Sequence, residues 1–296
     1  MLLVTGITGH SGRYFLKELI KHNYQEKIKC IVRESSDTSL LDNSGLNIEK
    51  IVGDLNNEET IAKAMTGVDK VMHIYNIHHS PAVVKYALQN KVSKVVLVHT
   101  TGIFSKYKNA SQEYEEVEAE INSLLENNKE KEMNVNILRP TMIYGDLCDS
   151  NMSKFIKMID YLRVMPVIDN GKSLLQPVNA RDLGKAYYKV LTTSEKVTKN
   201  KSYVLSGDQP IKMMEVFKLI SDGLGKKTYF LSVPLNIGVL MAKLLKLISL
   251  NKIDYIERVQ RMGEDRHYSH AQAAEDFDYQ PIKFEEGIKI EIDQYK

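Results

Sequence analysis

The chain has 296 residues, 43% apolar and 26% charged, and its 40 basic against 38 acidic residues leave a net charge of +2. That length can bury a large core in two lobes or one large α/β domain, while the near-balance of charge gives no electrostatic case for a nucleic-acid partner. Two cysteines far apart, Cys30 and Cys148, outside any C-x-x-C pattern, argue against a zinc site or disulfide framework and suit a reducing, cytoplasmic setting; the three apolar residues before Thr5 are too few for a secretion signal, and no apolar run reaches membrane-spanning length.

In chain order, Leu2–Leu3–Val4–Thr5 is an apolar run short enough to read only as a buried strand. It meets Gly6, Gly9 and Gly12, spaced G-x-x-G-x-x-G, and then Phe15, Leu16, Leu19 and Ile20 at helical spacing. In that context Gly6 supplies a tight turn, Gly9 lets the backbone approach a diphosphate, and Gly12 allows close helix–strand packing. With Thr8, His10 and Ser11, the turn offers main-chain N–H groups to an anion at the positive end of a helix dipole. The alternative is a turn that needs glycines for positive φ and binds nothing.

Strand and helix patterns then alternate. Strands are expected at 29–32, 48–52, 68–74, 95–98 and 134–138, with helices at 60–65, 81–90 and 112–127 between them. Such alternation implies a doubly wound parallel sheet with right-handed crossovers and a ligand cleft at the carboxyl ends of the strands. At the tip of the second strand stands Arg33, followed by Ser35 and Ser36. An acidic residue there would accept from a ribose 2′-hydroxyl, whereas an arginine suits a 2′-phosphate, so NADP is favoured over NAD. A solvated surface arginine beside Glu34 is the alternative. Asp54 and Leu55, after the third strand, are placed to meet the adenine edge, with a turn or N-cap role for Asp54 as the competing account.

The second half is less regular. Helices are expected at 180–191, 211–224 and 284–294, strands at 202–205 and 229–233, and a short helix capped by Ser269. This gives a dinucleotide-binding domain over 1–165, with 174–206 returning to it, and a smaller α+β substrate lobe over 166–296. The stretch 233–250 is apolar nearly all round, with Lys243 and Lys246 sharing a face. A buried helix of the small lobe or a subunit contact is the first reading, and a membrane-surface helix admitting a lipid-like substrate is the second. His78–His79 should point to opposite sides of an extended segment, and His267-x-x-His270 lacks carboxylate or thiolate company, so no metal is expected. No G-x-S-x-G elbow for an acyl-transfer serine is present.

Thr5-Gly6-x-x-Gly9-x-x-Gly12, Gly53–Asp54–Leu55 and Leu138–Arg139–Pro140–Thr141–Met142–Ile143–Tyr144–Gly145 together resemble the extended short-chain dehydrogenase/reductase superfamily, of the NAD-dependent epimerase/dehydratase type. Val178–Asn179–Ala180–Arg181–Asp182–Leu183 and Ser202–Tyr203–Val204–Leu205–Ser206–Gly207 extend the resemblance over nearly the whole chain. It implies a catalytic pair of Thr100 and Tyr114, with Pro140 and Thr141 beside a nicotinamide. The resemblance also implies a lysine four residues after the tyrosine, to hold the ribose and to favour the phenolate. Here that position is Glu118, on a helix that also carries Glu113, Glu115, Glu116 and Glu120. Tyr107, between Lys106 and Lys108, is a substitute tyrosine, with Ser111 in its fourth position. The departure resembles the atypical branch of the superfamily. The expectation is an NADP-dependent oxidoreductase or epimerase-like enzyme with a small-molecule substrate and room for a homodimer. A non-enzymatic NADP-binding redox regulator or assembly subunit is the alternative.

Overall fold

A computed structural model describes residues 1–129 and 132–296. Its first half lays down β1 (Leu2–Thr5), α1 (His10–Lys21), β2 (Ile28–Val32), β3 (Ile48–Val52), α2 (Glu58–Met65), β4 (Lys70–His73), α3 (Ser80–Gln89), β5 (Lys94–Val98), α4 (Lys108–Glu126) and β6 (Asn134–Pro140). The second half adds α5 (Met152–Tyr161), β7 (Val164–Ile168), α6 (Ala180–Thr192), β8 (Ser202–Leu205), α7 (Met213–Gly223), β9 (Tyr229–Val233), α8 (Leu235–Ile248), α9 (Ile256–Met262), α10 (Ala271–Phe277) and α11 (Phe284–Tyr295).

The central sheet is parallel, in the order β8-β6-β5-β4-β1-β2-β3. Alternation along β1 shows how it is covered on both faces. Leu2 and Val4 join Phe15, Leu16 and Leu19 of α1 and Leu183 and Tyr187 of α6 in one core, whereas Leu3 joins Ile61, Val83, Val84 and Ile121 beneath α2, α3 and α4. The fold is therefore α/β and doubly wound, and helix α6 and strand β8 return to the sheet late in the chain. Strand order reverses beside β1, whose Thr5 pairs with Ile31 on one side and His73 on the other. A crevice opens there at the carboxyl ends of the strands, as the topology requires.

A third apolar core, including Met152, Ile156, Val167, Val216, Phe217 and Ile288, gathers α5, β7, α7 and α11. Three expectations need correction in this part of the molecule and nearby. Helix α7 starts at Met213 because Ile211 and Lys212 instead pair antiparallel with Leu175 and Leu174. His78 and His79 lie in a 3-10 turn over Ile77–His79, not an extended segment, and His79 stacks on Tyr75 at 5.6 Å between ring centroids. The stretch 233–250 is not a buried helix: of the residues of α8 only Gly238 and Ala242 are buried. Hydrophobic composition had suggested burial, but the neighbouring elements cover just one side. No helix among the described residues is long and apolar enough to cross a membrane.

Candidate functional site

Thr5 ends β1 and Gly6 turns the chain at φ +75°, a conformation open to glycine at little cost, where an added Cβ would come within 2.9 Å of Tyr75 N. Helix α1 then begins at once, and a Cβ on Gly12 would overlap the Gly6 carbonyl. No side chain caps α1 and no acidic residue stands in its first turn. The N–H groups of the first turn thus face the crevice without a competing acceptor from the cap, next to a backbone that no side chain screens. This is a cradle fitted to a dinucleotide diphosphate.

The crevice is a cleft of about 630 Å³, lined by Gly6, Thr8, Gly9, His10, Ser11 and Gly12 from the turn and by Arg33, Asp54, Leu55, Thr100 and Tyr114 from later segments. Arg33 is exposed, with its guanidinium 5.9 Å from the centre of the Tyr75 ring, and its N–H donates to Ser36 Oγ at 3.2 Å. Ser36 lines the cleft and Ser35 does not. Asp54 also makes a turn, accepting from Asn56 N and Asn56 Nδ2 at 2.8 Å each, so its structural role coexists with its place on the cleft wall. Tyr75, Asn76 and Ile77, which follow β4, were not singled out from the sequence, although the parallel topology already brought the end of that strand to the cleft. They are held by a buried relay: Thr5 Oγ1 lies 2.7 Å from His73 Nδ1, and His73 Nε2 lies 3.2 Å from the Asn76 carbonyl. Burial pushes His73 down to about 3, so the imidazole is neutral. A donating Nε2–H then leaves Nδ1 to accept from the threonine.

At the end of β5, Thr100 Oγ1 accepts from Gly102 N at 3.0 Å. The Tyr114 ring, brought over by α4, lies against Gly102, where a Cβ would come within 2.9 Å of its Cε2. Thr100 and Tyr114 therefore share the cleft with the glycine turn. Glu118, one helical turn on, points into a polar cluster. It accepts from Arg139 Nη2 at 2.6 Å and Nε at 3.2 Å, and His99 Nδ1 lies 2.9 Å away, with Ser80 Oγ 3.1 Å from His99 Nε2. Burial alone raises the Glu118 carboxyl, but the bonds from His99 and Arg139 outweigh it and leave the pKa below the ordinary value. Its negative charge is thus matched by Arg139 across the sheet rather than left beside Tyr114, a partner that the sequence spacing did not reveal. Burial lowers His99 despite the carboxylate. Tyr107, the substitute considered from sequence, stands at the N-cap of α4 with Lys106 Nζ 5.3 Å from its ring centre.

A second cavity of about 490 Å³ opens beside the first, and His10, His99 and Thr100 line both. Pro140 and Thr141 line this second cavity and not the first, together with Cys148, Asp149, Arg261, Glu264, Arg266 and Tyr268. Glu264 is buried and accepts from Ser105 Oγ and from Lys106 N at 2.9 Å, which fixes the loop after β5 against the later half of the chain. Below it, the turn Gly145–Asp146–Leu147 runs at positive φ. Asp146 accepts from Tyr14 Oη, from Arg181 Nη2 at 2.6 Å and from Gln294 Nε2 at 3.2 Å, joining α1, α6 and α11. Arg13, just past the glycine turn and unnoticed in the sequence, donates to Cys148 Sγ at 3.0 Å across the same junction.

The whole of residues 1–286 matches the protein family described as NmrA-like. Among curated proteins, a 71-residue stretch is 38% identical to "Sterol demethylase protein B" of Methylococcus capsulatus, covering 24% of this chain and 20% of that protein. The chain thus spans about a fifth of the length of the curated relative it matches. Solved structures share the fold end to end. The dTDP-glucose 4,6-dehydratase DesIV from Streptomyces venezuelae, with NAD bound, is 17% identical at a TM-score of 0.73, covering 100% of this chain and 96% of that one. UDP-glucose 4-epimerase from Thermotoga maritima is 14% identical at 0.73, covering 99% and 98%. An NADPH-dependent quinone oxidoreductase from Escherichia coli is 16% identical at 0.73, covering 100% and 99%. At such identities the likeness is one of fold.

Proposed function

The chain belongs to the NmrA-like family, and on that premise we propose that it is an oxidoreductase or epimerase-like enzyme that prefers NADP and works with an altered active site. One observation carries this reading: Thr100 borders both the cleft that begins at the glycine turn and the second cavity, and Tyr114 stands beside it in the cleft. A bound nicotinamide coenzyme supplies hydride transfer. The amides after Gly9 hold its diphosphate, and Arg33 selects the 2′-phosphate by charge and hydrogen bonding. The Thr100 hydroxyl orients a substrate carbonyl or hydroxyl, and Tyr114 Oη donates or accepts the accompanying proton. Arg139 supports that role indirectly, since it holds Glu118 in an ion pair away from uncompensated contact with the phenol.

A second reading, a non-enzymatic NADP-binding regulator or assembly subunit, is favoured by the same pair. Glu118 is committed to Arg139 and His99, so the position that elsewhere holds the ribose-binding lysine has no cation of its own. Fluorescence titration with NADPH and NADH, followed by turnover on carbonyl, sugar-nucleotide and quinone substrates, separates the two. The enzyme reading expects hydride transfer that falls about a hundredfold or more in Tyr114→Phe, with coenzyme affinity unchanged. Equal turnover in that variant removes Tyr114 from the mechanism, and coenzyme binding with no turnover on any substrate class establishes the second reading.

A further inference from the structure

Helix α8 presents a continuous apolar face to solvent. Ile237, Leu240, Met241, Leu244, Leu247 and Ile248 recur at helical spacing on one side, and the last two are 72% and 78% exposed. The opposite side is docked: Gly238 is buried where an added Cβ would come within 2.7 Å of Ile168 on β7 and 3.1 Å of Val259 on α9. The outer stripe is therefore not needed to fasten the helix. Isolated exposed leucines are ordinary, but a contiguous stripe of this length marks a surface that something covers.

Charge indicates what covers it. Between Lys226 and Gly263 there are seven basic residues and two acidic ones, although the whole chain carries only +2. Within this segment Lys226 pairs with Asp160 and Lys246 with Asp254. Among the described residues Lys243, Lys252 and Arg258 have no carboxylate partner, and all three are exposed. Arg258 lies 5.5 Å from the ring centre of the exposed Tyr255, an aromatic and a cation together at the rim. An apolar stripe bordered by cations suits an anionic bilayer, where acyl chains take the stripe and lipid phosphates meet the lysines. A second copy of the same face would bring an equal excess of positive charge against it, which opposes dimerisation there.

We propose that α8 and its basic border form a docking surface for an anionic lipid bilayer, lying in the interface plane rather than crossing it. This surface is separate from the coenzyme cleft, although α9, which packs against α8, carries Arg261 into the second cavity. The test is co-sedimentation of the full chain with vesicles of phosphatidylcholine alone and of equimolar phosphatidylcholine and phosphatidylglycerol, with gel filtration in parallel. Expected is pelleting with the mixed vesicles that weakens with salt, falls about tenfold in Lys243→Gln/Lys252→Gln, and is abolished in Leu247→Glu/Ile248→Glu. Circular dichroism and thermal melting of the variants matching the parent show that the loss is not unfolding. Absence of pelleting by the parent chain, pelleting indifferent to both double variants, or a dimer that Leu247→Glu/Ile248→Glu disperses would each overturn the proposal, the last in favour of a subunit contact.

Discussion

Arg33 stands exposed at the tip of β2 with no carboxylate partner among the described residues, stacked near Tyr75 on the cleft wall. A charged hydrogen bond of this kind contributes about 1.5–3 kcal/mol, so Arg33→Ala should weaken NADPH about ten- to a hundredfold and leave NADH nearly unchanged. Equal losses for both coenzymes in a fluorescence titration would deny Arg33 the role of selecting the phosphate. Glu291 offers a different test. Its side chain is fully buried, accepts from Leu147 N at 3.0 Å on one oxygen, and is raised above the ordinary carboxylate range by burial and by the neighbouring Asp149 carboxylate. A raised acid contributes stability that is present below its unfolded value near 4.5 and is lost as pH rises through the folded value. Glutamine keeps both the acceptor and a donor. Glu291→Gln should therefore match the parent in urea denaturation at acidic pH and gain on it toward pH 8, by about 1.4 kcal/mol for each unit that the folded carboxyl stands above its unfolded value. Neither this carboxyl nor the Glu118–Arg139 pair was legible in the sequence, because each depends on a partner brought from more than twenty residues away.

At the scale of elements, the turn between β1 and α1 leaves no room for a side chain at Gly12. Gly12→Ala would drive a methyl group into the Gly6 carbonyl, so α1 must move away from β1 or the turn must open. The expected result is loss of coenzyme affinity together with destabilisation of about 1–3 kcal/mol, the usual cost of overpacking, read from fluorescence titration and urea denaturation of the same variant. An unaltered affinity would mean that the turn does not hold the diphosphate. This element could be read from sequence because spacing, glycine and apolar period all speak locally. The same holds for β3, β8 and β9, which the structure bounds at the residues expected. Locality also explains the failures. Ile211 and Lys212 have a helical pattern in sequence but gain more from pairing with Leu175 and Leu174, and the apolar period of α8 says which residues share a face without saying which face is covered.

Across the whole molecule, buried imidazoles set the response to acid. His73 is pushed down to about 3, and His99 and His10 are also lowered, each chiefly by burial. The His73 ring stays neutral in the fold while it takes up a proton near 6.5 in the unfolded chain, and the lowered His99 and His10 act in the same direction, so the unfolded state binds more protons as pH falls below that value. Their stabilisation is complete above pH 6.5 and is lost on the way down, with His73 alone removing about 1.4 kcal/mol per pH unit until its folded value is reached. Glu118 and Asp146, depressed by their arginine and hydrogen-bond partners against the effect of burial, add to the same trend at lower pH. Glu291 acts in the opposite sense from 4.5 up to its folded value, so it offsets the histidines between 4.5 and 6.5 and acts without them above 6.5. In urea denaturation between pH 6.5 and 5, the parent should lose stability relative to His73→Gln, which removes the titrating ring, by about 1.4 kcal/mol per pH unit. Parallel pH dependence of parent and variant over that interval would mean that His73 is protonated in the folded chain, and that the Thr5–His73–Asn76 relay does not hold the end of β4 against the cleft.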